Sequence, residues 1–397
     1  MLLLNLLRRM VRRAAADCTR LQGPSEQQRR LKIKPRLILG SLFICVGVLA
    51  SIFIGLAGFT SAGDEHGQRQ QTFTVLVGAE DSDVGAGVTG FFPDTLRIHV
   101  GDTVHWQRNT NEIHTVTFLV DMPLPPFNVP APPGLPSPLM RNPLIAFPVA
   151  PEDGRYDGTT FATSGIFGPD PDIFQGVESF DLIFTRPGTY NYVCVVHGAR
   201  MSGQIIVVER DEHIPSPRQV DREARRSIAA ALADVPAAIA AAEAEVPPPT
   251  QNPDGTATYH VLAGFSAGPH LDLLRFFPDD LTVQPGDTIE WVFGMQNMPV
   301  PHTITFLNGN ESPDDLVPVP QEGGPPLLVV SPELFFPQNA DQPLSRDDIH
   351  HSGLLRWLVG DPPPRFSLQI GDISGEESYQ CLVHDGSGML ATLNVVP

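Results

Sequence analysis

The chain has 397 residues, 42% of them apolar, and carries 26 Lys or Arg against 45 Asp or Glu, a formal net charge of −19. That length allows two or three domains with a sizeable core, and the acid excess argues against nucleic acid as a partner, because phosphate contacts need a positive surface. The 41 prolines, about twice the ordinary share, disfavour helix and favour loops and sheet edges.

Charge is unevenly placed. Residues 1–36 hold ten Arg or Lys against Asp17 and Glu26; the remainder has 16 Arg, no Lys and 43 acids. An acidic body suits a basic partner or cations, and equally a genome bias or a salty habitat. Residues 1–36 read as a basic cytoplasmic tail. Residues 37–59 (LILGSLFICVGVLASIFIGLAGF) carry no charge. As a helix they would run about 35 Å, enough for a hydrocarbon core of roughly 30 Å. They read as a transmembrane anchor, with a signal cleaved near Thr60-Ser61-Ala62 as the alternative. Either way the basic flank stays inside and the body is exported to a periplasmic or cell-surface side, secreted if the segment is cleaved. Of four cysteines, Cys18 and Cys45 lie in or before this segment. Only Cys194 and Cys381 remain, so the exported body is not a disulfide-stapled one; a Cys194–Cys381 bridge would consume two motifs described below.

After a short polar tether, Thr72–Val77 begins a β-type pattern. Two repeats follow, over residues 72–209 and 256–397. Phe91-Phe-Pro-Asp-Thr-Leu-Arg-Ile-His-Val-Gly-Asp-Thr-Val-His-Trp106 matches Phe276-Phe-Pro-Asp-Asp-Leu-Thr-Val-Gln-Pro-Gly-Asp-Thr-Ile-Glu-Trp291 at nine of sixteen positions. Each reads as strand, Gly-Asp turn, strand. Each repeat then has a histidine in a β-like stretch, His114 or His302, and a cysteine 80 or 79 positions later. Between them lie proline-rich regions, 121–151 and 312–338, which read as polyproline-like covering loops or a partner surface. Both end in a Ser-Gly-apolar stretch, at Ser164 and Ser352, expected to be a shared strand or turn. Short strands and turn residues with almost no helical periodicity predict an all-β chain of two tandem Greek-key β-sandwich domains. The connecting residues 210–255 differ. Gln219–Val246 is rich in Ala, Glu and Arg and predicts a helical linker broken at Pro236. Straight, it would hold the domains apart; folded back, it would let them dock.

Each repeat closes on a dense ligand set: Cys194-x2-His197-x3-Met201 and Cys381-x2-His384-x4-Met389. Thiolate and thioether suit Cu(I), imidazole suits both copper oxidation states, and two His, one Cys and a weak axial Met make a trigonal electron-transfer site. With His114 and His302 as the remaining donors, the chain offers two copper sites. Met201 is the looser member, its loop being one residue shorter. Met295 and Met298 lie near His302 but fit core packing better. His350-His351 reads as a solvated loop rather than a further site. His99, His105, His260 and His270 have no evident partners and read as surface or turn residues.

The repeated motif resembles the cupredoxins, specifically plastocyanin- and azurin-like blue copper proteins, over both repeats but not the anchor or linker. The second loop has the plastocyanin spacing. The resemblance implies two type-1 coppers per chain, a β-sandwich fold and one-electron transfer between redox partner proteins, with electrons crossing at the edge of His197 or His384 near the surface. Where that family often has Asn after the first histidine, this chain has Thr115 and Thr303, whose hydroxyls are expected to brace the cysteine loop instead. An immunoglobulin-like sandwich with packed Cys and His is the reading without metal.

Two other functions use the same ligands. One is copper storage, delivery or sensing at the membrane. The other is a copper oxidase or nitrite-reductase-like enzyme, which would need His-x-His or His-Cys-His links to further copper. Cys194 lies between Val193 and Val195, and Cys381 between Gln380 and Leu382, so the chain reads as a carrier rather than an enzyme. Only an assembly using His350 or His351 would change that. Oligomeric state and the identity of the partners are not legible in the sequence.

Overall fold

A computed structural model describes residues 70–168, 177–293, 300–355 and 364–397. The basic tail at 1–36 and the apolar segment at 37–59 lie outside the described residues. The described residues form one compact unit, mostly β-strand, in which the two repeats are two sandwiches.

In the first repeat, alternating burial along Thr72–Asp81 and Thr103–Arg108 turns Phe73, Val75, Val104 and Trp106 into the core. Those strands pair in parallel, and Ser179–Phe184 joins antiparallel. The facing sheet has Gly188–Cys194 between Gly198–Val208 and the short strand Thr117–Phe118. The second repeat does the same with Ala257–Ser266, Thr288–Phe293 and Arg365–Gln369 against Gly375–Gln380 and Leu390–Val395. Trp106 meets Phe118 and Tyr192 at centroid distances of 5.8 and 5.4 Å. Trp291 meets Phe306 and Tyr379 at 6.1 and 5.4 Å. Each repeat has a cis Phe-Pro bond at the same place, Phe92-Pro93 and Phe277-Pro278.

The sandwiches are docked. Ala86–Phe92 pairs antiparallel with Leu271–Phe277, with Val88 opposite Leu271 and Ala86 opposite Leu273, so one sheet runs through both repeats. The linker folds back as two helices, Pro217–Leu232 and Val235–Glu245. The break is where the sequence puts Pro236, which sits in the first turn of the second helix, a position that needs no amide donor. By length and composition residues 217–245 could cross a membrane. Here Ala224, Val235, Ala238 and Ala242 pack instead on Ala79, Val88, Phe265 and Leu273 of the shared sheet.

The proline-rich regions are more ordered than covering loops. Asn128–Pro130, Leu139–Arg141, Leu327–Val330 and Leu316–Val319 form a four-stranded sheet whose central pairing, Met140 opposite Val329, crosses between repeats. Pro130 and Pro318 lie in its two edge strands, where a missing donor breaks no ladder bond. Beneath it Ile145, Ile166, Val195, Leu316, Leu334 and Leu382 form a mixed cluster. The residues just after each cysteine are therefore part of the interdomain core.

Candidate metal centres

His114 enters the first site from a stretch held by two backbone bonds to Phe167, His114 N to Phe167 O at 3.2 Å and Phe167 N to His114 O at 2.8 Å. His302 is pinned likewise by Leu355, at 3.0 and 2.8 Å. Cys194 ends the strand Gly188–Cys194, and Cys381 follows Gly375–Gln380. The structure brings His114, Cys194 and His197 together, and separately His302, Cys381 and His384, with donor atoms within 4.8 Å of one another in each set. Cys194 Sγ lies 3.8 Å from His114 Nδ1 and 3.5 Å from His197 Nδ1. Cys381 Sγ lies 3.7 Å from His302 Nδ1 and 3.3 Å from His384 Nδ1. These spacings fit one ion about 2.0–2.3 Å from each donor. Met201 and Met389 are buried in the same clusters as their cysteines. Met295 and Met298 lie outside the described residues. Both cysteines are free thiols, so no mutual bridge forms.

The electrostatics of both clusters favour neutral groups. Burial pushes the Cys381 thiol up to about 12 and the Cys194 thiol upward as well. Burial likewise holds His197 and His384 down at about 3, helped by Arg200 and by the His197 ring respectively. His114 and His302 are held well below the usual histidine range by burial and the neighbouring imidazole. Neutral imidazoles are ready ligands, and a thiol with a high pKa gives its proton up only to a strong positive charge such as a metal ion.

The threonines perform the bracing expected of them. Thr115 Oγ1 accepts from Val195 N and Thr303 Oγ1 from Leu382 N, both at 2.8 Å. Their own amides donate toward Cys194 Sγ and Cys381 Sγ, both at 3.4 Å. Ser164 and Ser352 hold the same strands by accepting from Val116 N and Ile304 N.

Several expectations need correction. His350 and His351 are buried in a short strand, not in a solvated loop. His351 Nδ1 contacts Thr305 Oγ1 at 2.8 Å and Nε2 contacts Leu334 O at 3.0 Å. His350 is held by Asn339 O and Ser345. Neither ring has a nitrogen to spare for metal. His99 is buried, with Nε2 on Glu212 O at 2.8 Å. His105, His260 and His270 also have partners, in Asp181, Glu290 and Thr89 O. His197 and His384 are not near the surface: they are 8% and 4% exposed.

Two features escaped the sequence reading. Gly78 sits at a register shift with φ +70°, and a Cβ there would stand 2.7 Å from His114 Nε2 and 2.4 Å from Thr110 Cγ2. Gly264 repeats the register shift and the positive φ in the second repeat, a pairing visible once the repeats are aligned. The other is Glu112. Its Oε1 is 3.3 Å from His384 Nε2 and its Oε2 is 4.0 Å from His197 Nε2. Burial, with Asp272 and Glu80 nearby, pushes its carboxyl up to about 8. With both rings neutral, these contacts are between uncharged groups rather than ion pairs.

No family model matches the chain. A plastocyanin from Nostoc punctiforme is 29% identical over 138 residues, covering 35% of this chain and 73% of that protein. Among solved structures, oxidised plastocyanin from Dryopteris crassirhizoma aligns at 20% identity over 34% of this chain and 99% of its own, with a TM-score of 0.19. A Cu(I) amicyanin variant aligns at 18% identity over 34% and 82%, with a TM-score of 0.20. Over about a third of its length the chain is thus similar in sequence to a plastocyanin, and its repeated Cys-x2-His motif and β-sandwiches resemble those of the cupredoxins.

Proposed function

We propose that the chain is a blue copper electron carrier with two type-1 sites. His114, Cys194, His197 and Met201 would hold one copper, and His302, Cys381, His384 and Met389 the other. The observation that carries this reading is the twofold occurrence of a buried Nδ1, Nδ1, Sγ cluster at metal-ligand spacing. Copper in such a donor set supplies one-electron redox chemistry. The chain's own residues hold the donors in place before metal arrives, through Thr115, Thr303, Ser164 and Ser352. They also exclude water, each His, Cys and Met donor being at most 8% exposed.

As with its plastocyanin relative, we read the role as a carrier between other redox proteins, not as an enzyme. The segment at 37–59 would tether the copper domains on the extracytoplasmic side. Copper-loaded full-length protein should contain two coppers per chain and show an intense thiolate-to-Cu(II) band. Cys381→Ser should halve that band and leave the first site intact. A colourless protein with sub-stoichiometric copper would end this reading.

A further inference from the structure

We propose that Glu112 is an internal electron junction that couples the two metal sites. The inference rests on the copper reading above and concerns where electrons go once the sites are filled. Each of His197 and His384 turns Nδ1 toward its cysteine sulfur, at 3.5 and 3.3 Å. Each turns the opposite edge, Nε2, toward the same carboxyl group, at 4.0 and 3.3 Å. Sulfur, imidazole, carboxyl, imidazole and sulfur thus follow one another, with gaps of 3.5, 4.0, 3.3 and 3.3 Å. Both rings are buried; the His384 edge meets Glu112 across the domain boundary, and the His197 edge meets it within its own domain.

The arrangement departs from the repeat. Position 112 lies two before His114, and the corresponding position before His302 is Val300, which is buried against Leu274. One carboxyl group shared by both rings serves the pair.

Glu112 is also fixed across the interface. Its amide donates to Thr110 Oγ1 at 3.1 Å, and Thr110 Oγ1 donates to Glu80 Oε2 at 2.9 Å. Glu80 further accepts from Asn111 N, from Asn111 Nδ2 and, from the second repeat, from Ser387 Oγ. Asn111 Nδ2 also reaches Gly386 O at 2.9 Å. The second metal loop is therefore tied to the segment that carries Glu112. On the other side Arg200, from the first loop, holds Asp272 through two bonds of 3.0 and 2.9 Å and Pro269 O at 3.0 Å.

The step balances simply: one site goes from Cu(I) to Cu(II) as the other goes from Cu(II) to Cu(I), and no bond or proton changes hands. Glu112 is a positioning residue, since it touches neither metal donor set at the metal side. Its test uses full-length, copper-loaded protein carrying Met389→Gln, a change of axial donor that separates the two sites in potential and spectrum. A photogenerated one-electron reductant places electrons on both sites at random. Redistribution to the favoured site should then follow at a rate independent of protein concentration. Adding Glu112→Leu should slow it several-fold, while Glu112→Gln, which keeps a planar polar group, should restore most of the rate. Redistribution that scales with protein concentration, or that Glu112→Leu leaves unchanged, would overturn the proposal. Independently of any variant at 112, the oxidised parent should show magnetic broadening between two Cu(II) ions by EPR that Cys194→Ser and Cys381→Ser both abolish; its absence in the parent would also overturn it. Failure of the copper reading itself shows earlier, as a chain that does not take up two coppers.

Discussion

Replacing Thr303 by Val tests how the second metal loop is held. The two side chains have nearly the same shape, but Val removes the hydroxyl that accepts from Leu382 N at 2.8 Å. Leu382 is buried, so its amide would lose its partner with no water to replace it. A buried donor left unsatisfied costs about 1–3 kcal/mol. The contact between Thr303 Oγ1 and Thr305 Oγ1, at 3.2 Å, is lost as well. A destabilisation of about 2 kcal/mol is expected, roughly a thirtyfold fall in the folded-to-unfolded ratio. Urea unfolding of metal-free protein, followed by tryptophan fluorescence, measures it. Thr303→Ser, which keeps the hydroxyl, should stay within about 1 kcal/mol of the parent. A Thr303→Val midpoint indistinguishable from the parent, at unchanged slope, would refute the bracing role.

Gly78→Ala should cost about 1–2 kcal/mol from the left-handed backbone alone. Because its Cβ would also press on His114 Nε2, it should lower copper content at the first site only, read as one copper per chain. Arg200→Met leaves the buried Asp272 carboxylate without its counter-charge, held by the Thr89 and Ser266 hydroxyls, and should cost about 3 kcal/mol in the same urea assay. For pH, His351 is held below the usual histidine value chiefly by burial. The unfolded chain therefore binds a proton there before the folded chain does. Its share of stability is full above about pH 6.5 and is lost as pH falls toward the folded value. Metal-free His351→Gln should accordingly lose stability less steeply than the parent between pH 6.5 and pH 5, measured by urea titration at each pH.

The candidate donor clusters were legible because Cys and His lie on one short loop in each repeat, so spacing alone brings them together. Thr115 and Thr303 were legible for the same reason, each being adjacent to a ligand histidine. What escaped depended on how the two halves meet. Nothing local marks Glu112; its role appears only when His197 and His384 approach from different domains. The proline-rich regions were misjudged because proline count says nothing of which strand is an edge, and Pro130 and Pro318 occupy edges. His351 was misjudged because two adjacent histidines look solvated. Aligned by Ser164 and Ser352, it takes the place of Thr163, and its Nδ1 contact with Thr305 replaces the Thr163–Thr117 hydroxyl pair.

The pairing of Ala86–Phe92 with Leu271–Phe277 bears on whether either half can live alone. Separating the repeats would strip a neighbour from Val88 on one side and from Leu271 and Leu273 on the other. It would also bare the apolar surface now covered by Ala238 and Ala242. An unpaired, apolar strand border is a template for joining like to like. A half produced by itself would thus tend to find a second copy of its own border, restoring as a homodimer or an aggregate the seam that the intact chain closes within itself.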